Sequence, residues 1–206
     1  MPTPLSAIPL PNHLGGHCHK THTDYGVLRH FLSHCQIKSF LDIGCGPGGM
    51  VDMAAKAGLR AFGIDGDFTL PQFTDPSYQL DCTFIKHDFT TGPFDERCCS
   101  DLYADISAPT PIDLVWSVEF LEHIEAQYLL DVMPLFTLGK WAVVTAAPPG
   151  AAGHHHVNCQ PVSYWVELFQ SYGFRYDQEF TESIRRESTM KRSFIRDTGL
   201  VFRNER

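Results

Sequence analysis

Short apolar runs and longer amphipathic stretches alternate along most of the chain. In residues 25–35 the apolar positions recur at helical spacing, which predicts a helix whose first turn Thr23 or Asp24 can cap. A second helical pattern covers residues 161–172. Short apolar runs bounded by glycine, proline or charged residues predict buried strands at residues 40–43, 61–64, 82–86, 112–118 and 140–145.

The order of these elements indicates the fold class. Strands and helices alternate, which is typical of an α/β fold with a parallel sheet. Charged and apolar residues alternate in the tail, residues 185–206, and this pattern predicts an antiparallel pair of closing strands. With 206 residues, 43% of them hydrophobic, the chain is long enough for one such domain with both faces of its sheet covered.

Residues 39–67 combine a strand, a glycine-rich turn, a helix over residues 50–57 and a second strand that ends in a carboxylate. The turn contains Gly44, Gly46, Gly48 and Gly49. Glycine lets a turn fold tightly and brings its backbone close to a ligand. Asp65 follows the second strand, 21 residues beyond Gly44, where its carboxylate can hold the two hydroxyls of a ribose. This order predicts a cradle for a nucleotide cofactor.

Two residues beside the turn indicate which kind of cofactor it binds, a dinucleotide or a sulfonium compound. Gly44, Gly46 and Gly49 formally satisfy the G-x-G-x-x-G pattern of dinucleotide sites. However, Asp42 would repel a pyrophosphate and attract an ammonium group. Pro47 also removes an amide donor that a pyrophosphate would use. The sequence shows no Tyr-x-x-x-Lys or cysteine catalytic element, so an NAD-dependent oxidoreductase is disfavoured.

The pattern D-x-G-x-G-x-G over residues 42–48 resembles the first motif of the class I S-adenosylmethionine-dependent methyltransferases. The resemblance extends over residues 39–174 through the ends of the later strands. It implies one Rossmann-like α/β domain over residues 39–206, with a seven-stranded, mostly parallel sheet, helices on both faces and an antiparallel C-terminal strand. Residues 1–38 would form an N-terminal arm and a helix that covers the cofactor.

The same resemblance implies S-adenosylmethionine as the cofactor. Asp65 would hold the ribose hydroxyls, and Asp88 would lie beside the adenine amine. The implied cofactor-binding residues are Asp42, Gly44, Cys45, Gly46, Gly48, Asp65, Gly66, Asp67, Asp88, Phe89, Ser117, Val118 and Glu119.

Histidines provide the candidate chemistry. A loop after the fifth predicted strand holds three of them, and such loops open at the carboxyl edge of a parallel sheet, where ligands bind. Methyl transfer to a hydroxyl needs a base with a pKa near neutrality, and imidazole meets that need. We therefore expect the catalytic base among His156, His155, His123 and His22.

A possible metal site follows the fourth predicted strand. Glu119, Glu122 and His123 have helical spacing, which would place them on one face of a turn that a loop histidine completes. This E-x-x-E-H element resembles metal-dependent methyltransferases acting on RNA 3′-terminal 2′-hydroxyls and ubiquinone-pathway O-methyltransferases. The same letters also occur in class I enzymes that use no metal. We expect a metal-free reaction and keep the metal-dependent one as the alternative.

Charge and composition restrict the partners. The net charge is −8, and lysine and arginine cluster only in residues 185–206, which argues against a grip on duplex nucleic acid. No run approaches the roughly 18 apolar residues that span a membrane. The seven cysteines lack paired metal spacing, and the N-terminus lacks a secretory pattern. We therefore expect reduced thiols and a cytoplasmic protein.

These inferences predict an enzyme that methylates a hydroxyl or amine of a small molecule or a sugar. A short acidic chain without an added recognition domain favours such an acceptor. RNA is the alternative acceptor, although recognition of a single strand would need aromatic residues beside a basic groove. A non-catalytic cofactor-binding partner that regulates another enzyme is a further hypothesis, and the loop histidines speak against it.

Overall fold

A computed structural model describes residues 9–75, 77, 82–95 and 112–206; residues 1–8 of the predicted arm lie outside this part. The strands are β1 (Ser39–Ile43), β2 (Arg60–Asp65), β3 (Thr83–Lys86), β4 (Ile112–Ser117), β5 (Gly139–Val144), β6 (Phe174–Tyr176) and β7 (Leu200–Asn204). The described helices are α1 (Tyr25–Cys35), α2 (Gly49–Lys56), α3 (Pro71–Thr74), α4 (Leu129–Phe136), α5 (Val162–Ser171), α6 (Gln178–Glu187) and α7 (Phe194–Thr198).

The seven strands form one sheet in the order β3-β2-β1-β4-β5-β7-β6. Strands β1 to β5 run parallel to one another, and β7 runs antiparallel to both β5 and β6. The predicted α/β fold, with its mostly parallel sheet and antiparallel C-terminal strand, is therefore confirmed. Parallel strands that follow one direction all end at one edge, which brings the residues after β1 to β5 together.

Helices cover both faces of the sheet. In β1, Phe40 packs on one face with Val27 of α1, whereas Leu41 packs on the other face with Val132 of α4. All five residues of β1 are buried as a result. Burial on both faces explains why the central strands appear in the sequence as continuous apolar runs. None of the described helices is long and apolar enough to cross a membrane.

The predicted closing strands in the tail are wrong for most of its length. Residues up to Glu187 belong to α6, and Phe194–Thr198 form α7; only β7 is a strand. The α6 helix forms because Asp177 caps it through the amide of Phe180, and because Phe180 and Ile184 pack inward at i, i+4 spacing. This spacing belongs to a helix, and the charged residues around it hide it.

A buried carboxylate fixes the start of α1. Asp24 caps the helix by accepting a hydrogen bond from the amide of Val27 at 3.1 Å, as the sequence predicts. It also accepts bonds from the amide of Thr189 at 2.9 Å and from the hydroxyl of Ser188. Asp24 therefore joins α1 to the segment that follows α6, although 165 residues separate them along the chain.

Replacing Asp24 by Ala is expected to lower the free energy of unfolding by about 2–4 kcal/mol, because one cap is lost and a buried amide loses its acceptor. Urea unfolding followed by circular dichroism measures this. Asp177→Ala is the matched control, since it removes a cap with a single bond to Phe180 and should cost only about 1 kcal/mol. Equal losses in the two variants would contradict a joining role for Asp24.

Candidate active site

A cavity of about 620 Å³ lies at the carboxyl edge of the parallel strands. The residues at the strand ends line it in the order of the sheet, from Asp88 after β3, through Asp65 and Asp42, to Glu119 after β4. The loop after β5 closes the far end with His154, His155 and His156. Strands lie about 4.8 Å apart, so the row from β3 to β5 spans about 19 Å.

The glycine turn between β1 and α2 forms the floor of the cavity. Gly44 has a φ of +77°, and a Cβ atom there would lie 2.2 Å from the ring of Phe120. The amides of Gly44 and Cys45 both donate to the carbonyl of Ile64, at 2.9 and 3.0 Å, which holds the turn against β2. Both the backbone conformation and the space therefore require glycine at position 44.

Two carboxylates face this turn, the buried Asp42 and the half-buried Asp65. Burial raises the pKa of Asp42 well above its ordinary value, and the nearby Asp65 raises it further. Burial also raises the pKa of Asp65, although its oxygens accept hydrogen bonds from the amides of Gly46 at 2.7 Å and Asp67 at 2.9 Å. Two neighbouring acidic groups with little access to water favour a ligand that carries positive charge.

Residues 12–22, which we call the N-terminal cover, lie across the cavity. His13 Nε2 lies 2.9 Å from Asp88 Oδ2, and His17 Nε2 lies 3.1 Å from Asp67 Oδ2. Burial raises the pKa of Asp88, but hydrogen bonds from His13 and Thr90 outweigh that effect and lower it overall. The cover therefore contacts carboxylates at the ends of β2 and β3 through its histidines. No pattern in the sequence predicts the contact of His13.

The histidine end contains an unpartnered carboxylate. Glu122 is fully buried, and neither of its oxygens has a hydrogen-bond partner of good geometry in the described part of the chain. Burial, followed by the charge of Glu119, raises the pKa of Glu122 to about 8. Burial, followed by His156, lowers the pKa of His123 to about 4. One ligand atom from each of Glu122, His123 and His156 lies within 4.8 Å of the others.

The predicted placement of Glu119 on a shared helical face is wrong. Only Leu121–His123 form a 3₁₀ turn, and Glu119 precedes it with a left-handed backbone, φ +57°. Its amide donates to the hydroxyl of Thr145 at 2.8 Å, and that hydroxyl donates back to the Glu119 carboxylate at 3.1 Å. Glu119 is thus held by Thr145, directly after β5, and is not among the residues whose ligand atoms lie within 4.8 Å of one another.

The four candidate histidines, His22, His123, His155 and His156, all line the cavity. So do ten of the candidate cofactor residues: Asp42, Gly44, Cys45, Gly46, Asp65, Gly66, Asp88, Phe89, Val118 and Glu119. Gly48, Asp67 and Ser117 do not appear in its lining. Ser117 donates to the carbonyl of Ile43 at 2.9 Å, and Asp67 holds His17 and Thr69. A direct cofactor contact for these three stays a prediction.

Besides His13, sequence reasoning missed other residues that line the cavity from outside the cradle. They include Lys20 in the N-terminal cover, Arg192 before α7 and Phe194 at the start of α7. A strand prediction for the tail hid Arg192 and Phe194. The helical spacing of Phe180 and Ile184 was the available signal, since it indicates a helix that reaches into the predicted strand region.

Comparison by sequence finds no matching family model and no matching curated protein. The fold is similar to a TehB-like methyltransferase from Corynebacterium glutamicum, with a TM-score of 0.58 at 17% identity, covering 88% of each chain. Magnesium protoporphyrin IX methyltransferase from Synechocystis, solved with bound S-adenosylmethionine, gives 0.53 at 15% identity, covering 85% of this chain and 74% of that one. The methyltransferase domain of bacterial CtHen1 gives 0.55 at 15%, covering 87% and 95%.

The chain has the fold of the S-adenosylmethionine-dependent methyltransferases. In this methyltransferase fold, the cavity lies outside the carboxyl ends of β1 to β5. Ligands of open α/β sheets bind at that edge. The position of the cavity therefore agrees with the cradle that the glycine turn predicts.

Proposed function

We propose that the protein is an S-adenosylmethionine-dependent methyltransferase whose cavity holds the cofactor. The row of carboxylates in sheet order, Asp88, Asp65 and Asp42, carries this proposal. An adenosine offers an amine and a ribose diol as donors to the first two, since carboxylate oxygens accept more than one hydrogen bond each. The ammonium of the methionine moiety offsets the charge of Asp42. A pyrophosphate would instead add negative charge to the row.

The size and closure of the cavity support a small acceptor, with a hydroxyl of a small molecule or sugar as the group that is methylated. The N-terminal cover lies over the same space that the cofactor needs, and the whole cavity measures about 620 Å³. The acceptor would enter at the histidine end, beyond Glu119. Its oxygen attacks the methyl carbon, the carbon–sulfur bond breaks, and the sulfonium becomes a neutral thioether as the oxygen loses its proton.

His156 is the candidate that suits the role of the base. Its Nδ1 lies 3.2 Å from the carbonyl of Ala151, an acceptor, so Nδ1 carries the proton and Nε2 is free to take one. His123 is a weak base because its pKa falls to about 4. The pKa of His22 is also lowered, first by burial and then by Arg192. Proton transfer therefore favours His156 over His123 and His22.

Asp65→Ala is expected to weaken the binding of S-adenosylhomocysteine by about 30- to 1000-fold, because two hydrogen bonds to a charged group are lost. Isothermal titration calorimetry measures the affinity. Asp75→Ala is the control, since Asp75 is exposed and its carboxylate accepts hydrogen bonds, among the described residues, from Ser77 alone. Unchanged affinity in Asp65→Ala would remove the ribose assignment.

His156→Ala is expected to lower turnover by about 10²- to 10⁴-fold with nearly unchanged affinity for S-adenosylhomocysteine. Turnover is measured as S-adenosylhomocysteine released with a panel of hydroxylated small molecules and sugars. The neighbouring His154 is exposed, and His154→Ala serves as the matched control. Full turnover in His156→Ala would move the base to another histidine. Parallel losses of rate and affinity would indicate a packing role.

Metal-dependent methyl transfer is a second candidate function, and the unpartnered Glu122 carboxylate is the observation that favours it. One carboxylate and two imidazoles, with a ligand atom of each within 4.8 Å of the others, form a donor set that fits a divalent cation, with Glu122, His123 and His156 as its ligands. Such a cation would act as a Lewis acid and lower the pKa of an acceptor hydroxyl. His156 would then be a ligand and not the base.

Chelation separates the two candidates. If the reaction is metal-free, we expect turnover to survive dialysis against EDTA. Glu122→Gln should then keep most of the turnover, because no step uses the Glu122 carboxylate. Loss of turnover after EDTA, restored by Mg²⁺ or Mn²⁺ in the wild type but not in Glu122→Gln, would establish the metal-dependent reaction instead. Binding of S-adenosylhomocysteine in EDTA reports whether the fold survives.

A further inference from the structure

Two cations meet at the cavity from distant parts of the chain. Within the described ranges, the lysine and arginine side chains that line the cavity are Lys20, from the N-terminal cover, and Arg192, from the segment between α6 and α7. Neither forms an ion pair with a carboxylate of the described residues. They stand out in a cavity whose other charged side chains are Asp42, Asp65, Asp88, Glu119 and Glu125.

Ring contacts place the guanidinium at the cavity. The Arg192 Cζ lies 5.6 Å from the centre of the Phe194 ring, within the range of a cation–π contact. The His22 ring packs edge-on against the same ring, with 5.1 Å between the centres. Phe194 therefore holds Arg192 beside His22, which itself lines the cavity.

Lys20 is tied to the glycine turn through its neighbour. Thr21 Oγ1 accepts a hydrogen bond at 3.1 Å from the amide of Gly49, at the start of α2. The backbone next to Lys20 thus lies at the turn that follows Asp42. Both cations also lie near His22, because the charge of each adds to the lowering of the His22 pKa that burial causes. Arg192 in addition counteracts the rise that burial causes in the pKa of Glu119.

We propose that Lys20 and Arg192 form a carboxylate subsite that holds the α-carboxylate of the cofactor's methionine moiety, while Asp42 takes its ammonium. The inference rests on the proposed function and deepens it. The methionine end is a zwitterion, so a site with Asp42 alone would leave its carboxylate beside the acidic row without a partner. The two cations match that charge, and a guanidinium can bind a carboxylate through two parallel hydrogen bonds.

The subsite would distinguish ligands by the presence of the amino-acid part. S-adenosylmethionine and S-adenosylhomocysteine carry the same carboxylate, so the subsite would bind both. A nucleoside that lacks the amino-acid part, such as 5′-methylthioadenosine, would gain nothing from Lys20 and Arg192. The subsite would also draw the N-terminal cover onto a bound cofactor, because Lys20 belongs to that cover.

Calorimetry with two ligands tests this. Arg192→Ala is expected to lower the affinity for S-adenosylhomocysteine by about 10- to 100-fold, which is the range of one charge-assisted contact. The affinity for 5′-methylthioadenosine should change by less than about twofold. Lys20→Ala should act in the same direction. Arg192→Lys should restore part of the loss, since it returns the charge without the planar fork. Lys191→Ala is the matched control, because the adjacent Lys191 is exposed and does not line the cavity.

Two results would overturn the subsite. One is unchanged affinity of Arg192→Ala for S-adenosylhomocysteine, and the other is an equal loss for both ligands, which would assign Arg192 to the nucleoside or to the fold. A thermal melt of each variant checks the fold. Failure of the proposed function has a different signature, because the wild-type protein would then bind neither ligand. Asp65→Ala should lower the affinity for both ligands, because the ribose that Asp65 would hold is common to them.

Discussion

The structure depends on acidic groups gathered where parallel strands end. The ends of β1, β2 and β3 carry Asp42, Asp65 and Asp88, and the sheet order brings them into one row. Burial of Asp42 beside Asp65 raises the pKa of Asp42, which means that the protein disfavours both negative charges together. The amides of Gly46 and Asp67 offset part of this cost at Asp65. Under the proposed function, the positively charged end of the cofactor would relieve this repulsion.

The N-terminal cover follows from the same constraint. It reaches the strand ends through imidazoles, with His13 on Asp88 and His17 on Asp67, and through the hydroxyl of Thr21 at the start of α2. These are polar contacts at sites where the sheet offers acceptors or a free amide. The cover is thus held by polar contacts, whereas Val27, Leu28 and Phe31 of α1 pack in the apolar core.

Local sequence predicted the elements that are buried on both faces or that cap themselves. The first five strands lie within two residues of their predicted bounds because burial on both faces produces continuous apolar runs, and α1 has its predicted bounds with Asp24 as its cap. The carboxylates after β1 to β3 follow from the same runs. The contact of His13 with Asp88 spans 75 residues, and no local pattern encodes it. No local pattern places Lys20 at the cavity either.

At the histidine end of the cavity, Glu122 is a further carboxylate whose buried negative charge must be compensated. A fully buried carboxylate without a partner needs either a proton or a cation, because an isolated charge in that place is too costly. A raised pKa of about 8 describes the first solution, in which Glu122 is neutral at pH 7. A divalent cation bound with His123 and His156 describes the second, and the low pKa of His123 keeps its imidazole neutral and free to coordinate. Under the proposed function, the charge of this one carboxylate therefore decides whether His156 acts as a base or as a ligand.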